Sequence, residues 1–149
     1  AVSFSTHLVT GTSNNIYTFS TAGQPSGFGW NTNGVGTVYS FTADNLPNID
    51  MYLDDDQDFA SPDLGSANPD ARTSFLGDMT SYDNMGLLPV ANAANYTNAA
   101  TGTINSNFAI SFEIGGSYYY VKCKVVEAGA NYSKISYGFQ RIPNYRLMD

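Results

Sequence analysis

A run of aspartates provides the densest set of groups in the chain that could do chemistry. Asp54, Asp56 and Asp58 alternate along this run, and oxygens at alternate loop positions are typical ligands of a hard cation such as calcium. The match with an EF-hand ends there, because the sixth position is Phe59 rather than glycine and the twelfth is Gly65 rather than glutamate. An EF-hand is excluded, and two interpretations stay open: a looser calcium site at these aspartates, or a solvated acidic face.

Aromatic side chains provide a second candidate site. Trp30 is the only tryptophan of the chain, and it follows Phe28 within the glycine-rich segment 21–36. An exposed aromatic face can stack on a sugar ring or another planar ligand, which makes both residues candidates for ligand binding. The alternative is that segment 21–36 is a long loop whose aromatic residues anchor it to the core. Composition and spacing do not choose between these interpretations.

Residues that could carry catalysis are few. His7 is the only histidine, and it lies in none of the motifs of a serine nucleophile, a zinc-binding helix or a phosphate-binding loop. Cys123, the only cysteine, cannot form an intrachain disulfide, and its position between valines predicts a buried thiol. The chain has only two glutamates, Glu113 and Glu127. We therefore expect a protein that is not an enzyme. A hydrolase that uses two carboxylates is the less favoured alternative, and it stays open because the separation of two carboxylates is a property of the fold.

Charge and length narrow the class of protein further. The 149 residues carry a net charge of −7, which argues against nucleic-acid binding because that function needs clustered Lys and Arg. Ten of the 13 acidic residues lie between Asp44 and Asp83, where Arg72 is the only basic residue and hence the expected internal counter-charge. The length predicts a single domain, 1–149. No apolar run is long enough to span a membrane as a helix, and the first residue is Ala1, so we expect a mature or trimmed chain.

The elements that position these groups are predicted to be β-strands. Between Phe108 and Gln140, apolar and polar residues alternate in three runs, and Gly115-Gly116 separates the first two as in a type I′ or II′ hairpin. We predict an all-β, two-sheet antiparallel sandwich that ends in a three-stranded meander. On the central strand of the meander, the alternation places one set of side chains in solvent: Tyr118, Tyr120, Lys122 and Lys124.

The earlier part of the chain predicts shorter elements. Alternation favours strands at Val2–Leu8 and Ile16–Ser20, which we expect to pair with each other, and further strands at 37–42, 49–53 and 71–76. Thr80 to Leu88 has a capping residue at its start and Pro89 after its end, which predicts one or two helical turns.

One family shares this order of motifs. The segments IDMYLDDD…SPD, ARTSF, SYDNMG and NFAISFEIGGSYYYVKCKVV…YSKISYGFQ, from Ile49 to Gln140, resemble the HmuY-like surface lipoproteins of Bacteroidetes-type bacteria. The resemblance implies an all-β domain at an extracellular or outer-membrane surface. In some members it also implies capture of haem between two axial His or Met ligands.

The haem ligands do not transfer residue by residue. Ahead of Phe108, where the family places one ligand, the chain has Tyr96, and the nearest methionines, Met79 and Met85, flank the predicted helical turns. These three residues join Phe28 and Trp30 as candidate ligand-binding residues. Haem and calcium are the two cofactors to consider, and the sequence selects neither.

Together these features predict a binding module outside the cell. Its partner would be a small molecule, a glycan or a protein, and it would contact a membrane only through a lipid anchor outside this chain. The main alternative is an adhesin or fibre-type structural domain, which would present an exposed strand edge instead of a pocket.

Overall fold

A computed structural model describes residues 8–148, and the fold is an all-β sandwich of two antiparallel sheets. A six-stranded sheet contains β1 (Leu8–Thr12), β2 (Ile16–Tyr17), β7 (Ser74–Met79), β9 (Asn107–Ile114), β10 (Ser117–Ala128) and β11 (Tyr132–Gln140). A five-stranded sheet contains β3 (Gly27–Trp30), β4 (Gly36–Tyr39), β5 (Met51–Leu53), β6 (Asp58–Ala60) and β8 (Ala99–Thr101). Within 8–148 the helical content is two single 3₁₀ turns, Leu46–Asn48 and Pro62–Leu64. The predicted fold class is confirmed.

The C-terminal meander is the framework of the six-stranded sheet. Strands run in the order β1-β11-β10-β9-β7, and β2 also pairs with β11. Gly115 and Gly116 have φ of 60° and 85°, and two successive positive φ values are the requirement of a type I′ turn. The predicted meander and its hairpin are thus confirmed, with one bulge in the pairing of β10 with β11 between Val125 and Glu127.

The N-terminal strands differ from the prediction. β1 begins at Leu8, and both β1 and β2 pair with β11 rather than with each other. The two short strands therefore form one interrupted edge. The rest of the predicted strand Val2–Leu8 lies outside the described residues, as does His7.

The segment predicted as a long loop contains β3. Gly27 and Gly29 are needed in this strand because other backbone and side-chain atoms lie against them. A Cβ at Gly29 would lie 1.8 Å from the carbonyl oxygen of Asn48, and one at Gly27 would lie 2.7 Å from Ile49. A glycine in a strand often marks such a close approach. The glycines that predicted a loop instead permit a buried strand.

The main core fills the space between the sheets. Phe108, Ile110 and Phe112 of β9 are fully buried there, as are Val121 and Cys123 of β10. Burial of each large apolar side chain contributes about 1.5–3 kcal/mol to the free energy of unfolding. The inward face predicted for the meander and the buried position of Cys123 are confirmed.

A second apolar cluster covers the other face of the six-stranded sheet. It consists of Met85, Leu88, Tyr96, Ala109, Tyr120 and Met148, and we call it the outer cluster. Residues after β7 cross this face together with the C-terminal residues. The backbone N–H of Leu88 donates to the carbonyl of Arg146 at 2.9 Å, and that of Met148 donates to the carbonyl of Gly86 at 2.8 Å.

The outer cluster overturns two predictions. Tyr120 and Lys122 were expected in solvent, but they are 4% and 8% exposed. The Lys122 amine donates to the backbone carbonyl of Tyr82 at 3.3 Å and lies 4.4 Å from the centre of its ring. The helical turns predicted at Thr80–Leu88 are absent, because this segment forms turns that bridge to the C-terminal residues.

The edges of both sheets are short or interrupted. At the break between β1 and β2, the Ser13 N–H donates to the Ile135 carbonyl at 2.8 Å, and the Ile135 N–H donates to Ser13 Oγ at 2.9 Å. Beside β7, the N–H groups of Thr97 and Asn98 donate to the Leu76 carbonyl at 3.0 and 3.1 Å. The five-stranded sheet ends in β4, of four residues, and β8, of three.

Candidate functional site

The acidic run forms the tight turn between β5 and β6. Asp54 Oδ1 accepts hydrogen bonds from the backbone N–H groups of Asp56 and Asp58 at 3.0 and 2.9 Å, so this carboxylate closes the turn. In the part of the chain that the structure describes, no group of three or more His, Cys, Asp or Glu side chains could hold a metal ion. The structure therefore does not bring Asp54, Asp56 and Asp58 together as a calcium site.

Asp55 ties this turn to the segment after β2. Its carboxylate accepts hydrogen bonds from the hydroxyl and the backbone N–H of Ser20, the latter at 2.8 Å, and these bonds lower the pKa of Asp55. Burial raises the pKa of Asp58, and the charges of Asp54 and Asp56 raise it further. The acidic turn is thus held by local hydrogen bonds in spite of its own repulsion.

Phe28 and Trp30 lie in the main core, where they are 1% and 2% exposed. The Trp30 ring is stacked on Phe112, with centroids 5.6 Å apart and 9° between the planes, and it meets Phe28 and Tyr137 edge to face. The exposed stacking platform considered for Trp30 is wrong, because rings of both sheets surround it. The alternative of a buried anchor is confirmed, although the anchor belongs to strand β3 rather than to a loop.

Met79, Met85 and Tyr96 come together at the outer cluster. Met79 and Met85 line a pocket of about 290 Å³ beside Leu87 and Pro89. The Tyr96 hydroxyl donates to the Pro89 carbonyl at 2.8 Å, and burial raises its pKa far above the usual range. Tyr96 is therefore a structural phenol that stays protonated.

These residues do not fit a haem. A pocket of about 290 Å³ is at the lower limit of the roughly 300–1,000 Å³ that accommodates drug-sized ligands, and a porphyrin is larger than such ligands. Tyrosine binds haem iron as a phenolate, whereas the Tyr96 proton is held by a backbone carbonyl. Neither the donor set nor the volume supports axial ligation at this place.

A more exposed aromatic site lies where the segment after β2 meets the segment after β4. Phe19 is 48% exposed and contacts Phe41 and Tyr52 edge to face, at centroid distances of 5.3 and 5.8 Å. Phe41 and Tyr52 in turn lie 4.9 Å apart. The neighbouring rings fix the orientation of Phe19 and leave nearly half of its surface in solvent.

This aromatic cluster borders a groove of about 360 Å³, which we call the Phe19 groove. The rest of its lining is rich in hydroxyl and amide groups: Ser20, Thr21, Gln24, Ser26, Ser40 and Thr42. Asp55 holds Ser20 through both its backbone and its side chain, so this wall is anchored to the β5–β6 turn. The groove combines a fixed aromatic surface with several groups that can both donate and accept hydrogen bonds.

A second cavity, the Trp30 pocket, lies along β4 and measures about 280 Å³. Besides Trp30, its lining includes Asn31, Thr37, Tyr39, Asn48, Arg72 and Ile114. The Arg72 guanidinium donates to Asp50 Oδ1 at 2.8 Å, and the Trp30 backbone N–H donates to Asp50 Oδ2 at the same distance. This confirms Arg72 as an internal counter-charge. Burial raises the pKa of Asp50 to about 6, against the opposing effects of Arg72 and the Trp30 N–H.

Two carboxylates line a third cavity, of about 390 Å³, to which Arg72 also contributes. Asp70 and Glu113 are both exposed. A glycosidase acid needs a raised pKa, which burial in an apolar pocket usually provides. Neither carboxylate is buried in such a pocket.

Comparisons with known proteins identify no relative. No family model matches the chain, and neither does any curated protein or any solved structure. Among the described residues, no helix has the length and apolar character needed to cross a membrane. The geometry of the grooves is thus the basis for a functional proposal.

Sequence reasoning missed the Phe19 groove. Phe19, Phe41 and Tyr52 come from three separate segments, and each alternates in its own segment like an ordinary strand residue. The signal that could have directed attention to Phe19 is local: it precedes STAGQPS, a turn sequence in which Gly23 has φ of 71°. An aromatic residue next to such a turn is placed at the end of the sandwich, where side chains from several segments meet.

Proposed function

We propose that this protein is a non-enzymatic binding module, exposed outside the cell, that captures a glycan in the Phe19 groove. The observation that carries the proposal is a half-exposed aromatic side chain held by two other rings beside a row of hydroxyl and amide groups. A pyranose ring has apolar C–H faces and a rim of hydroxyls. It therefore complements an aromatic surface bordered by Ser, Thr and Gln.

The low charge of the groove also supports a neutral ligand. Its lining contains no Lys, Arg, Asp or Glu, and only 13% of the residues of the whole chain are charged. A phosphorylated or nucleic-acid ligand would need clustered basic groups. We propose a relationship to the HmuY-like lipoproteins without their haem function, because the candidate ligand residues do not fit a haem.

The proposal is tested by titrating the protein with neutral oligosaccharides, namely cello-, xylo- and chito-oligomers, in a calorimeter. We expect Phe19→Ala to weaken binding about tenfold, which corresponds to roughly 1.4 kcal/mol of binding free energy, because the stacking surface is lost. Leu64→Ala is the matched control, since Leu64 is also an exposed apolar residue, at 61%, and does not line the groove.

Two results would contradict glycan capture. One is the absence of heat for every oligosaccharide at millimolar concentration. The other is an affinity that Phe19→Ala and Leu64→Ala lower to the same extent. If either result came with concentration-dependent self-association of the wild-type protein, the adhesin or structural alternative would be favoured.

A further inference from the structure

The third cavity described above, which we call the Glu113 cavity, lies at the edge of the outer cluster. Its volume is about 390 Å³. Phe75 and Tyr118 line it and also pack against the outer cluster, so the cavity lies on the outer face of the six-stranded sheet. It shares no lining residue with the Phe19 groove, and its ligand does not depend on glycan capture there.

The strand register places a carboxylate between two aromatic side chains. Glu113 of β9 pairs with Tyr118 of β10. Phe75 of β7 pairs with Ser111, which lies two residues before Glu113 on the same face of β9. Directly opposed residues have Cβ atoms about 4.5–5.5 Å apart, and diagonal neighbours are about 7–8 Å apart. Three adjacent strands therefore present a ring, a carboxylate and a second ring side by side.

Contacts with other segments hold both aromatic residues in place. The Phe75 ring lies 6.3 Å from the Tyr96 ring, between centroids. The Tyr118 N–H donates to Asn144 Oδ1 at 2.9 Å, and the Tyr118 carbonyl accepts from the Asn144 N–H at 2.7 Å. Both side chains are half-buried, so part of the surface of each stays accessible. A ligand would thus meet aromatic surfaces that are already ordered, which lowers the entropic cost of binding.

The charged groups of the Glu113 cavity favour a cation. Asp70 lines it together with Glu113, and both residues are exposed. Neither carboxylate accepts a hydrogen bond from a described residue or forms an ion pair with one. Arg72 also lines the cavity, but its guanidinium is paired at 2.8 Å with the buried carboxylate of Asp50. Two negative charges are therefore left without a partner among residues 8–148.

The combination of rings and carboxylates selects an organic cation over a metal ion. An alkylated ammonium group is attracted by the faces of aromatic rings, and its alkyl groups contact them directly. The same sheet face already contains one such interaction, because the Lys122 amine lies 4.4 Å from the centre of the Tyr82 ring. A metal ion needs more ligands than two carboxylates, and no group of three or more suitable side chains exists among the described residues.

We propose that the Glu113 cavity is a second ligand site, which binds a small organic cation with an alkylated ammonium group. The cation contacts the rings of Phe75 and Tyr118, and its charge is balanced by the carboxylates of Glu113 and Asp70. The volume of about 390 Å³ lies within the roughly 300–1,000 Å³ that accommodates small-molecule ligands. The cavity therefore has room for the substituents of the ammonium group.

A pair of probes of the same shape tests the role of the charge. Choline and 3,3-dimethylbutan-1-ol differ in whether a charged nitrogen or a neutral carbon carries the three methyl groups. In calorimetric titrations at pH 7 we expect saturable binding of choline and about tenfold weaker binding of the neutral alcohol. No binding of choline at tens of millimolar, or equal affinities, would overturn the proposal. Tighter binding of phosphorylcholine than of choline would also overturn it, because Arg72 would then bind the phosphate.

Variants of Glu113 test the carboxylate without disturbing the core, because this side chain is exposed. We expect Glu113→Gln to weaken choline binding roughly tenfold, since the amide keeps the size of the side chain but not its charge. Glu127→Gln is the matched control, because Glu127 is the other glutamate of the chain and lies outside the cavity. Equal affinities of the two variants would reject Glu113 as the partner of the cation.

Variants of Tyr118 test the aromatic surface. Tyr118→Phe keeps the ring and should keep the affinity for choline, whereas Tyr118→Leu should lower it about fivefold. Circular dichroism and thermal unfolding of both variants check that the fold is retained. Equal affinities of the two folded variants would reject the contact with the ring, and a fold lost in Tyr118→Leu would leave the Glu113 pair to decide the proposal.

Discussion

The two faces of the six-stranded sheet are both buried, but by different structures. The inner face meets a second sheet through rings and aliphatic side chains that alternate regularly along β9 and β10. The outer face is covered by the irregular residues after β7 and by the C-terminal residues, which form the outer cluster. The comparison teaches that period-two alternation distinguishes the two faces of a strand but does not reveal whether the second face is covered.

The largest expected loss of stability comes from a substitution in the main core, and it should exceed that of a substitution at the surface. Phe112 is fully buried and stacked on Trp30, so Phe112→Ala leaves a cavity between the sheets. We expect it to lower the free energy of unfolding by about 4 kcal/mol. Urea denaturation followed by circular dichroism measures this change. Phe19→Ala, at a half-exposed phenylalanine, should cost far less, and equal costs would contradict the assignment of the core.

A second prediction concerns the ion pair at the margin of the main core. The pKa of Asp50 is raised to about 6 in the fold from 3.8, so between these values the folded protein holds a proton that the unfolded chain has lost. The binding of this proton by Asp50 adds to the free energy of unfolding below about pH 4, and the added stability disappears as the pH rises through 6. Its size is about 3 kcal/mol, from roughly 1.4 kcal/mol per pKa unit.

Thermal unfolding between pH 4 and pH 7 measures the contribution of Asp50. Asp50→Asn cannot titrate, and its amide oxygen can still accept a hydrogen bond from Arg72. We expect a flatter dependence of the melting temperature on pH in this variant. An unchanged dependence would assign the pH effect to other carboxylates.

The smallest expected change in the free energy of unfolding comes from a substitution in the outer cluster. Leu88 is 2% exposed, but the turns that surround it can collapse into a cavity more easily than a sheet can. We expect Leu88→Ala to lower the free energy of unfolding by about 2 kcal/mol, and Leu76→Ala, at a fully buried strand residue of the main core, to lower it by more. In hydrogen exchange, Leu88→Ala should expose amides of residues 82–97 while β9 and β10 stay protected. Uniform loss of protection would show that both faces unfold as one unit.

The sequence was most informative where structure is local. The meander could be predicted because its strands follow one another and a Gly-Gly turn joins the first two. β3 could not, because the reason for Gly29 lies 19 residues further on, at Asn48. Lys122 was misplaced for a similar reason: its partner, Tyr82, comes from a segment with no regular pattern.

The candidate sites likewise include features that the sequence could predict and features that required the fold. The role of Arg72 could be predicted, because it is the only cation in an acidic region, but the choice of Asp50 among ten acidic residues needed the fold. Met51, which lies in the predicted strand 49–53, is fully buried in the core. The Phe19 groove is assembled from separate segments, and no single window of sequence contains its pattern.

The short and interrupted sheet edges have a consequence for assembly. An exposed edge strand presents a row of unpaired N–H and C=O groups to which another chain can add a strand. In the described part of this molecule, Ser13 bridges the break in one edge, Thr97 and Asn98 cover part of another, and β4 and β8 offer four and three residues. Such edges discourage polymerisation through the backbone, so a partner is expected to recognise side chains instead.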